Sequence, residues 1–586
     1  MSMSHEEKLS YYMSNSNIID INKFEKKIKV AILGSFTLNG LAETLHVKCA
    51  NDQIGCLTYV SGYNQYNQDI LNHESKLYSF SPDITFLILD TRTILGNFFY
   101  SPYSLTVSER KEFVGKKLND IVNLINKYKE RSDSKLVITN FNVPANSPYG
   151  ILENKIEYGL KDMIKDLNHR LSDTFTNDAS VYVYDFDGFV SKFGENNIFD
   201  YRQYFIGDIQ ISLDYIPHLA NELMGYIIAI LGLSKKCIVL DLDNTLWGGV
   251  IGEDGFDGIK LGPTAPGNAY VEFQKCLLSL SQRGIILAIN SKNNLDDALQ
   301  VIKNHPYMVL REENFACIKI NWDHKVTNMK AIADELNIGL DSMVFIDDDP
   351  TLREFIQLSL PQILTIPFPN DPSQLVNSIM NLNCFNTLNV TEEDLKRGEM
   401  YVQQRKRKEL EETVSNIGDF LRQLNIRVTI KKADKFTIPR ISQLTLKTNQ
   451  FNLTTRRYNE EDITKFSQDP NMIVECAQIE DKFGDNGITC VYIIKKDNNS
   501  QWTIDSFLMS CRIMGREIEN GIMAYILQRA KSKGVAKILG EFIPTKKNKP
   551  SEDFLQNCGF KKHDGLFVYS LDNVIEIPPH LNIKEE

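Results

Sequence analysis

The sequence predicts an α/β protein: two successive domains on parallel sheets, then an α+β domain. Three observations carry this. Through the first 385 residues, short apolar runs alternate with helix-length segments, the pattern of parallel strands joined by helical crossovers. In the middle of the chain, apolar runs end abruptly in polar, chemistry-bearing residues, as strands do at the mouth of a site. After residue 425 strand-like runs follow one another with fewer helices between them. The expected domains are 1–232, 233–385, a helical bridge 386–425, and 426–586.

Composition narrows the class. The 586 residues suffice for about three or four domains. Hydrophobic content of 42% and charged content of 24% are those of an ordinary globular protein. A net charge of −11 argues against general nucleic-acid binding. The polar stretch Met1 to Asn17 has no apolar signal core, and the most apolar window, Met224 to Leu233, is too short to span a bilayer. No pair among the ten cysteines has C-x-x-C spacing, which predicts free thiols in a reducing, cytoplasmic setting.

In the first domain, Lys29 to Gly34, Ile54 to Val60, Ile84 to Leu89 and Leu136 to Thr139 read as strands, with a helix over Ser108 to Lys129. Asn196 to Gly207 reads as a loop before a helix from Pro217 to Leu231. Ser35 after the first strand, with Asp214 and His218 near the end, resembles a serine hydrolase of the SGNH type. The Asp214–His218 spacing is not the usual one, and Gly34-Ser35 replaces Gly-Asp-Ser. A hydroxyl needs a positioned base to act as a nucleophile, so the reading favours docking or scaffolding over esterase chemistry.

The central domain opens with Cys237-Ile-Val-Leu240, a run suited to a strand buried on both faces. It ends in Asp241-Leu-Asp243-Asn-Thr245. Paired carboxylates stay ionised more easily beside a hard cation such as Mg2+. Gly248, Gly249, Gly252, Gly255 and Gly258 fall within eleven residues, predicting an irregular, hairpin-like flap. A helix follows from Ala269 to Arg283. The next strand runs from Gly284 to Ile289 and ends in Asn290-Ser291, a hydroxyl that could hold a phosphate oxygen or cap the following helix. Cys317 to Ile320 leads to Lys325 at a helix start, a point charge for phosphate. Met343 to Ile346 runs into Asp347-Asp348-Asp349-Pro350. Three acids after a buried strand favour a divalent ion; an acidic helix start is the alternative.

Asp-x-Asp-x-Thr, Ser, Lys and Asp-Asp at successive strand ends resemble the haloacid dehalogenase (HAD) motif set. The resemblance implies that Asp241 attacks phosphorus and that Asp243 serves as acid, then base. Thr245 and Ser291 would hold phosphate oxygens, and Lys325 would neutralise charge. Mg2+ would be held by the Asp241 side chain, the Asp243 carbonyl, and Asp347 or Asp348. Little sequence remains between the strands for a cap, which suits a large or carrier-borne substrate.

A charged helical bridge from Thr391 to Leu424 leads into the last domain. Strands are expected from Ile426, at Ile473 to Ala477, Gly487 to Ile494 and Trp502 to Met509. A helix over Glu517 to Lys533, a strand over Ala536 to Gly540 and a helix near Glu552 complete it. This order resembles the GNAT acyltransferase fold. Arg512-Ile-Met-Gly515-Arg516-Glu517 stands where that family binds the pyrophosphate of coenzyme A. A carboxylate at Glu517 would repel phosphate there, though Arg512 and Arg516 could compensate. Cys511 beside these arginines is the candidate acyl-accepting thiol. Lys447 to Tyr458 concentrates polar side chains and two arginines, a candidate anion-binding groove or a loop with a capped helix.

Taken together, Asp241 to Gly249, Asn290 to Asn294, Ile320 to Lys325, Phe345 to Pro350, Thr448 to Arg457 and Phe483 to Gly487 resemble the FkbH-like proteins over nearly the whole chain. The resemblance implies a bifunctional glyceryltransferase and phosphatase. Such proteins draw on 1,3-bisphosphoglycerate, a small phosphorylated acyl donor, and load glyceryl onto the phosphopantetheine arm of an acyl carrier protein for secondary-metabolite assembly. No nucleic acid or membrane is expected as a partner. The alternatives are a phosphatase fused to an acyltransferase for a small acceptor, as in surface-polysaccharide pathways, and a non-catalytic assembly protein, against which the intact aspartate set argues.

Overall fold

The computed structural model describes residues 8–390, 395, 397–413, 416–498, 500–510, 513–545, 547–563, 565–572 and 575–586. It divides into two compact units, Met1–Leu233 with Asn386–Leu388, and Ser234–Phe385 with Asn389–Glu586.

The first unit is a parallel sheet of β1 (Lys26–Gly34), β2 (Ile54–Val60), β3 (Ile84–Ile88), β4 (Lys135–Thr139) and β5 (Val181–Tyr184), in the order β2-β1-β3-β4-β5. The direction of winding reverses between β1 and β3, which stay paired in parallel to Gly34 and Ile88. Helices Leu41–Asn51, Val107–Lys129, Leu160–Phe175 and Ile216–Ile230 bury apolar stripes around it. Thr106 and Glu109 start the second of these with a reciprocal capping box. The sequence reading of Asn196 to Gly207 as a loop needs correction: helices occupy Glu195–Ile198 and Tyr201–Gly207. Asp200 caps the second by accepting N–H bonds from Arg202 and Gln203. Asn196 and Asn197 lie within the first helix, and Gly207 is the last residue of the second.

The second unit carries two sheets. β6 (Cys237–Leu240), β7 (Ile286–Ser291), β8 (Phe315–Ile320), β9 (Met343–Ile346) and β10 (Leu364–Thr365) form a parallel sheet in the order β10-β9-β6-β7-β8. Every residue of β6 is buried, because flanking strands and helices cover both faces. Ile238 and Leu240 are 0% exposed, and each such side chain contributes about 1.5–3 kcal/mol of burial. Between β6 and β7 lie the short helix Ile251–Asp254 and the crossover helix Gly267–Gln282, with no separate cap domain among the described residues. The glycine-rich stretch is thus a closed loop containing one helical turn. Gly248 and Lys260 exchange backbone hydrogen bonds across its base (3.1 and 2.7 Å). A Cβ on Gly248 would sit 2.9 Å from the Tyr270 ring.

Helices Arg397–Thr413 and Ile417–Leu424 bridge to a mostly antiparallel sheet. Its strands are β11 (Ile426–Lys432), β12 (Phe451–Asn452), β13 (Met472–Asp481), β14 (Gly484–Asn498), β15 (Gln501–Met509), β16 (Lys537–Gly540), β17 (Lys561–His563), β18 (Leu566–Ser570) and β19 (Leu581–Glu585). The order is β17-β18-β16-β15-β14-β13-β11-β19, with β12 on β15. β15 and β16 pair in parallel only from Gln501 to Ile504; β15 then runs on and pairs with β12 through Leu508 and Met509. Helix Ile518–Ser532 packs its apolar face on this sheet. This is the GNAT-like α+β arrangement. Among the described residues no helix is long and apolar enough to cross a membrane.

Candidate active site

The parallel register of the central sheet brings the chemistry to one edge. Leu240 pairs with Ile289 and with Ile346, so Asp241, Asn290 and Asp347 leave three adjacent strands at one level. Asp241 is tied to its neighbour strand by its N–H to the Ile346 carbonyl (3.0 Å). Lys325, the first residue of helix Lys325–Leu336, is 3% exposed. Its Nζ lies 3.0 Å from Asp241 Oδ1 and also pairs with Asp347. Burial alone would push its ammonium down; the Asp241 and Asp347 carboxylates outweigh that and hold it up.

Carboxylate oxygens of Asp241, Asp347 and Asp348 lie within 4.8 Å of one another. Desolvation first, then the charge of Asp241, raises Asp347; the same causes push Asp348 up to about 6. Like charges held this close, on hard oxygen donors, fit a divalent cation. Thr245 adds a second sign of fit: it is fully buried and its Oγ1 has no hydrogen-bond partner among the described residues. Such an orphan costs about 1–3 kcal/mol unless a ligand oxygen completes it. The acidic triplet divides its work. Asp349 turns away to cap helix Pro350–Ser359 by accepting the Thr351 N–H (2.8 Å), leaving Asp347 and Asp348 to the cluster.

Asp243 stands outside that cluster and is held in one orientation. Its Oδ1 accepts Trp247 Nε1 (2.9 Å) and the Ile251 N–H (3.1 Å), and its Oδ2 accepts Asn293 Nδ2 (2.9 Å). Ser291 ends β7 and is 1% exposed, whereas Asn294 occupies the N-cap position of helix Leu295–Asn304. The hydroxyl is therefore not the helix cap.

Sequence reasoning missed the groups that hold these residues. Asn290 Nδ2 donates to the Lys325 carbonyl (3.0 Å), and Asn328 Nδ2 bonds Asn290 Oδ1 (3.1 Å) and Asn321 Oδ1 (2.9 Å). Arg353 Nη1 donates to the Asp347 and Asp348 carbonyls. Asn290, Asn293 and Asn321 stand beside Ser291 and Lys325 in the chain, yet only the fold shows what they touch.

In the C-terminal domain Cys511 and Arg512 lie outside the described residues. Gly515 has φ +80°, and Glu517 (φ +58°) precedes helix Ile518–Ser532. Arg516 is 6% exposed, with Nη1 3.2 Å from Asp481 Oδ2. The arginines of Lys447 to Tyr458 are bonded internally. Arg456 pairs with Asp505 and Glu541 (both 2.8 Å), and Arg457 donates to the Thr445 and Thr448 carbonyls. In the first unit Ser35 Oγ accepts the Asp90 N–H (2.8 Å), the His218 ring lies against Phe193 and Tyr215, and Asp214 is exposed.

Known proteins agree with this architecture. Residues 29–228 match the FkbH N-terminal domain family. The N-terminal part of protein BF1531 from Bacteroides fragilis, which contains a phosphatase domain and was crystallised with Mg, is 30% identical. The match covers 65% of this chain and 99% of that one, with a TM-score of 0.60. The chain belongs to the FkbH-like family. The FkbH-like sequence matches no curated protein. Its last part also aligns with an IAA acetyltransferase from Bacillus cereus (18% identity, 23% of this chain and 79% of that one, TM-score 0.18). A GNAT-family acetyltransferase from Streptococcus pneumoniae aligns likewise (12% identity, 24% and 98%, TM-score 0.20). The GNAT-like feature of this part is the order of its own sheet.

Proposed function

We propose that the chain takes a 3-phosphoglyceryl unit from 1,3-bisphosphoglycerate, removes its phosphate through Asp241, and loads glyceryl onto an acyl carrier protein. The observation that carries the phosphatase half is the cluster of Asp241, Asp347 and Asp348 around Lys325 at the carboxyl end of one parallel sheet. Asp241, Asp347 and Asp348 would hold Mg2+, whose charge would offset that of the phosphate.

Acyl transfer comes first. The Cys511 thiolate attacks the acyl carbon of the acyl phosphate, and inorganic phosphate leaves. The remaining phosphate ester then reaches the acidic cluster. An Asp241 carboxylate oxygen attacks phosphorus, the ester P–O bond breaks, and the alkoxide takes a proton from Asp243. The three bonds on the Asp243 carboxylate keep it on one trajectory for this transfer. Asp243 next removes a proton from water, which attacks the aspartyl phosphate and frees phosphate and Asp241. Lys325 holds positive charge beside the nucleophile throughout, and the Thr245 and Ser291 hydroxyls donate to phosphate oxygens. The carrier thiolate finally attacks the glyceryl thioester and expels Cys511. The lack of a separate cap domain between β6 and β7 among the described residues supports a tethered substrate.

Incubation with 1,3-bisphosphoglycerate, Mg2+ and a carrier protein, read by intact mass, tests this. A glyceryl adduct on the carrier is expected. Phosphate release with no carrier adduct would leave a phosphatase whose acyl acceptor is a small molecule.

A further inference from the structure

The carboxyl edge of the first unit's sheet carries a site that the proposed reactions do not use. A cavity of about 30 Å3 opens there. Asp90, just beyond β3, and Asn142, just beyond β4, line it together with Arg92. Glu195 and Asp200, at the starts of helices Glu195–Ile198 and Tyr201–Gly207, complete its polar wall. Open α/β sheets bind ligands at this edge, where the winding reverses, here between β1 and β3.

Two groups on this wall are unspent. The Arg92 guanidinium lies 5.0–5.8 Å from the ring centres of Phe99, Tyr100, Tyr201 and Tyr204. Among the described residues it makes no hydrogen bond and no ion pair. Stacking on rings fixes a guanidinium and leaves its N–H edge to match a carboxylate. Asn142 is 9% exposed. Its main-chain carbonyl accepts Thr91 Oγ1 (3.1 Å), but its side-chain amide has no partner among the described residues. A buried amide left unpaired costs about 1–3 kcal/mol, so this one awaits a ligand.

The acids of the wall supply the opposite sign. Asp90 accepts the Thr93 N–H (2.9 Å), Glu195 the Ala145 N–H (2.8 Å), and Asp200 those of Arg202 and Gln203 (both 3.0 Å). These backbone donors carry no full charge, so the carboxylates still attract a cation. Three acids against one guanidinium also repel a dianion such as phosphate. A molecule with one carboxylate and one ammonium meets both signs, and the Asn142 amide can donate to the first or accept from the second. One water needs about 10–15 Å3 of such space, so the cavity takes a head group and leaves the rest of the molecule outside. That remainder would lie over Tyr100 and Tyr201, which are 66% and 44% exposed.

We infer that this cavity binds the zwitterionic head group of a free α-amino acid, with the carboxylate on Arg92 and the ammonium among Asp90, Glu195 and Asp200. The inference does not rest on the phosphatase or transfer reactions, since every residue it uses belongs to the first unit.

Calorimetric titration of the full chain tests it, with L-phenylalanine, 3-phenylpropionate and phenethylamine as separate probes. The second lacks the ammonium and the third the carboxylate. Wild type is expected to bind L-phenylalanine about tenfold or more tightly than either analogue. Binding of one analogue as tight as that of L-phenylalanine would show that one charge goes unread, and would overturn the assignment. So would the absence of binding by all three. Arg92→Met, which keeps the stem and removes the charge, is expected to weaken L-phenylalanine about tenfold or more. Asn142→Asp, nearly isosteric, sets a like charge beside the ligand carboxylate and should weaken it as well. Equal binding by both variants and wild type would move the ligand elsewhere and reject the site. Hydrogen exchange on wild type needs no variant to fold. Residues 90–100 and 199–210 should slow with L-phenylalanine, and unchanged exchange there would sink the proposal.

Discussion

Asp241 and Asp243 are two residues apart, yet they have different surroundings and different expected roles. Asp241 pairs with a buried ammonium and shares its space with two more carboxylates, the setting of a nucleophile that must stay ionised. Asp243 accepts three N–H donors and stands outside the carboxylate cluster. Asp241→Asn should therefore abolish hydrolysis of p-nitrophenyl phosphate, with a loss of about 1,000-fold or more, because the amide cannot form the covalent intermediate. Asp243→Asn should cost about 100- to 10,000-fold, the usual range for a lost proton donor and acceptor. Asn293 touches the Asp243 carboxylate, so it is a positioning residue. Asn293→Ala should lower kcat by about 10–100-fold with little change in KM, and should move the acid limb of the pH–rate profile. An unchanged profile would reduce Asn293 to a structural part.

Single contacts decide how the elements are held together. The bridging helix Arg397–Thr413 is fastened to β13 by Arg407 and Asp481, 3% and 5% exposed. Removing the carboxylate takes from the buried Arg407 guanidinium the acid that binds two of its nitrogens. Asp481→Ala should destabilise the protein by about 3–5 kcal/mol, read as a fall in the denaturant midpoint. β6 is held by dispersion and burial instead. Ile238→Ala should cost about 2–5 kcal/mol. It should also lower phosphatase activity, since a loosened β6 no longer holds Asp241 level with Asp347. These strands were visible in the sequence because a short, unbroken apolar run must be buried on both faces, and the acids at its end mark where burial stops. The helices between Glu195 and Gly207 were not: their caps, Gly194 and Asp200, are the same residue types that make turns.

For the second unit as a whole, the acidic cluster is a weak point until a cation fills it. Burial first, then the charge of Asp241, raises Asp347 and Asp348 in the folded state; a cation that binds only the folded form should stabilise it. Mg2+ at about 100 times its dissociation constant should add about 2.7 kcal/mol, seen as a rise in Tm that EDTA reverses. Asp347→Asn should remove both the rise and the hydrolytic activity. A Tm insensitive to Mg2+ in wild type would count against metal at this site.

The order of residue types along the chain already determined the alternation of strand and helix, the strand ends that carry chemistry, and the family. Each of these depends on local pattern, because an apolar segment must leave water wherever it lies in the chain. Tertiary structure alone decided the division of labour among Asp347, Asp348 and Asp349, the grip of Asn293 and Trp247 on Asp243, and the two-nitrogen hold of Asp481 on Arg407. Asn293 meets Asp243 across 50 residues and Arg407 meets Asp481 across 74. Hydrogen bonds and ion pairs act over a few ångströms in space, and distance along the chain does not reveal which partners the fold will bring that close.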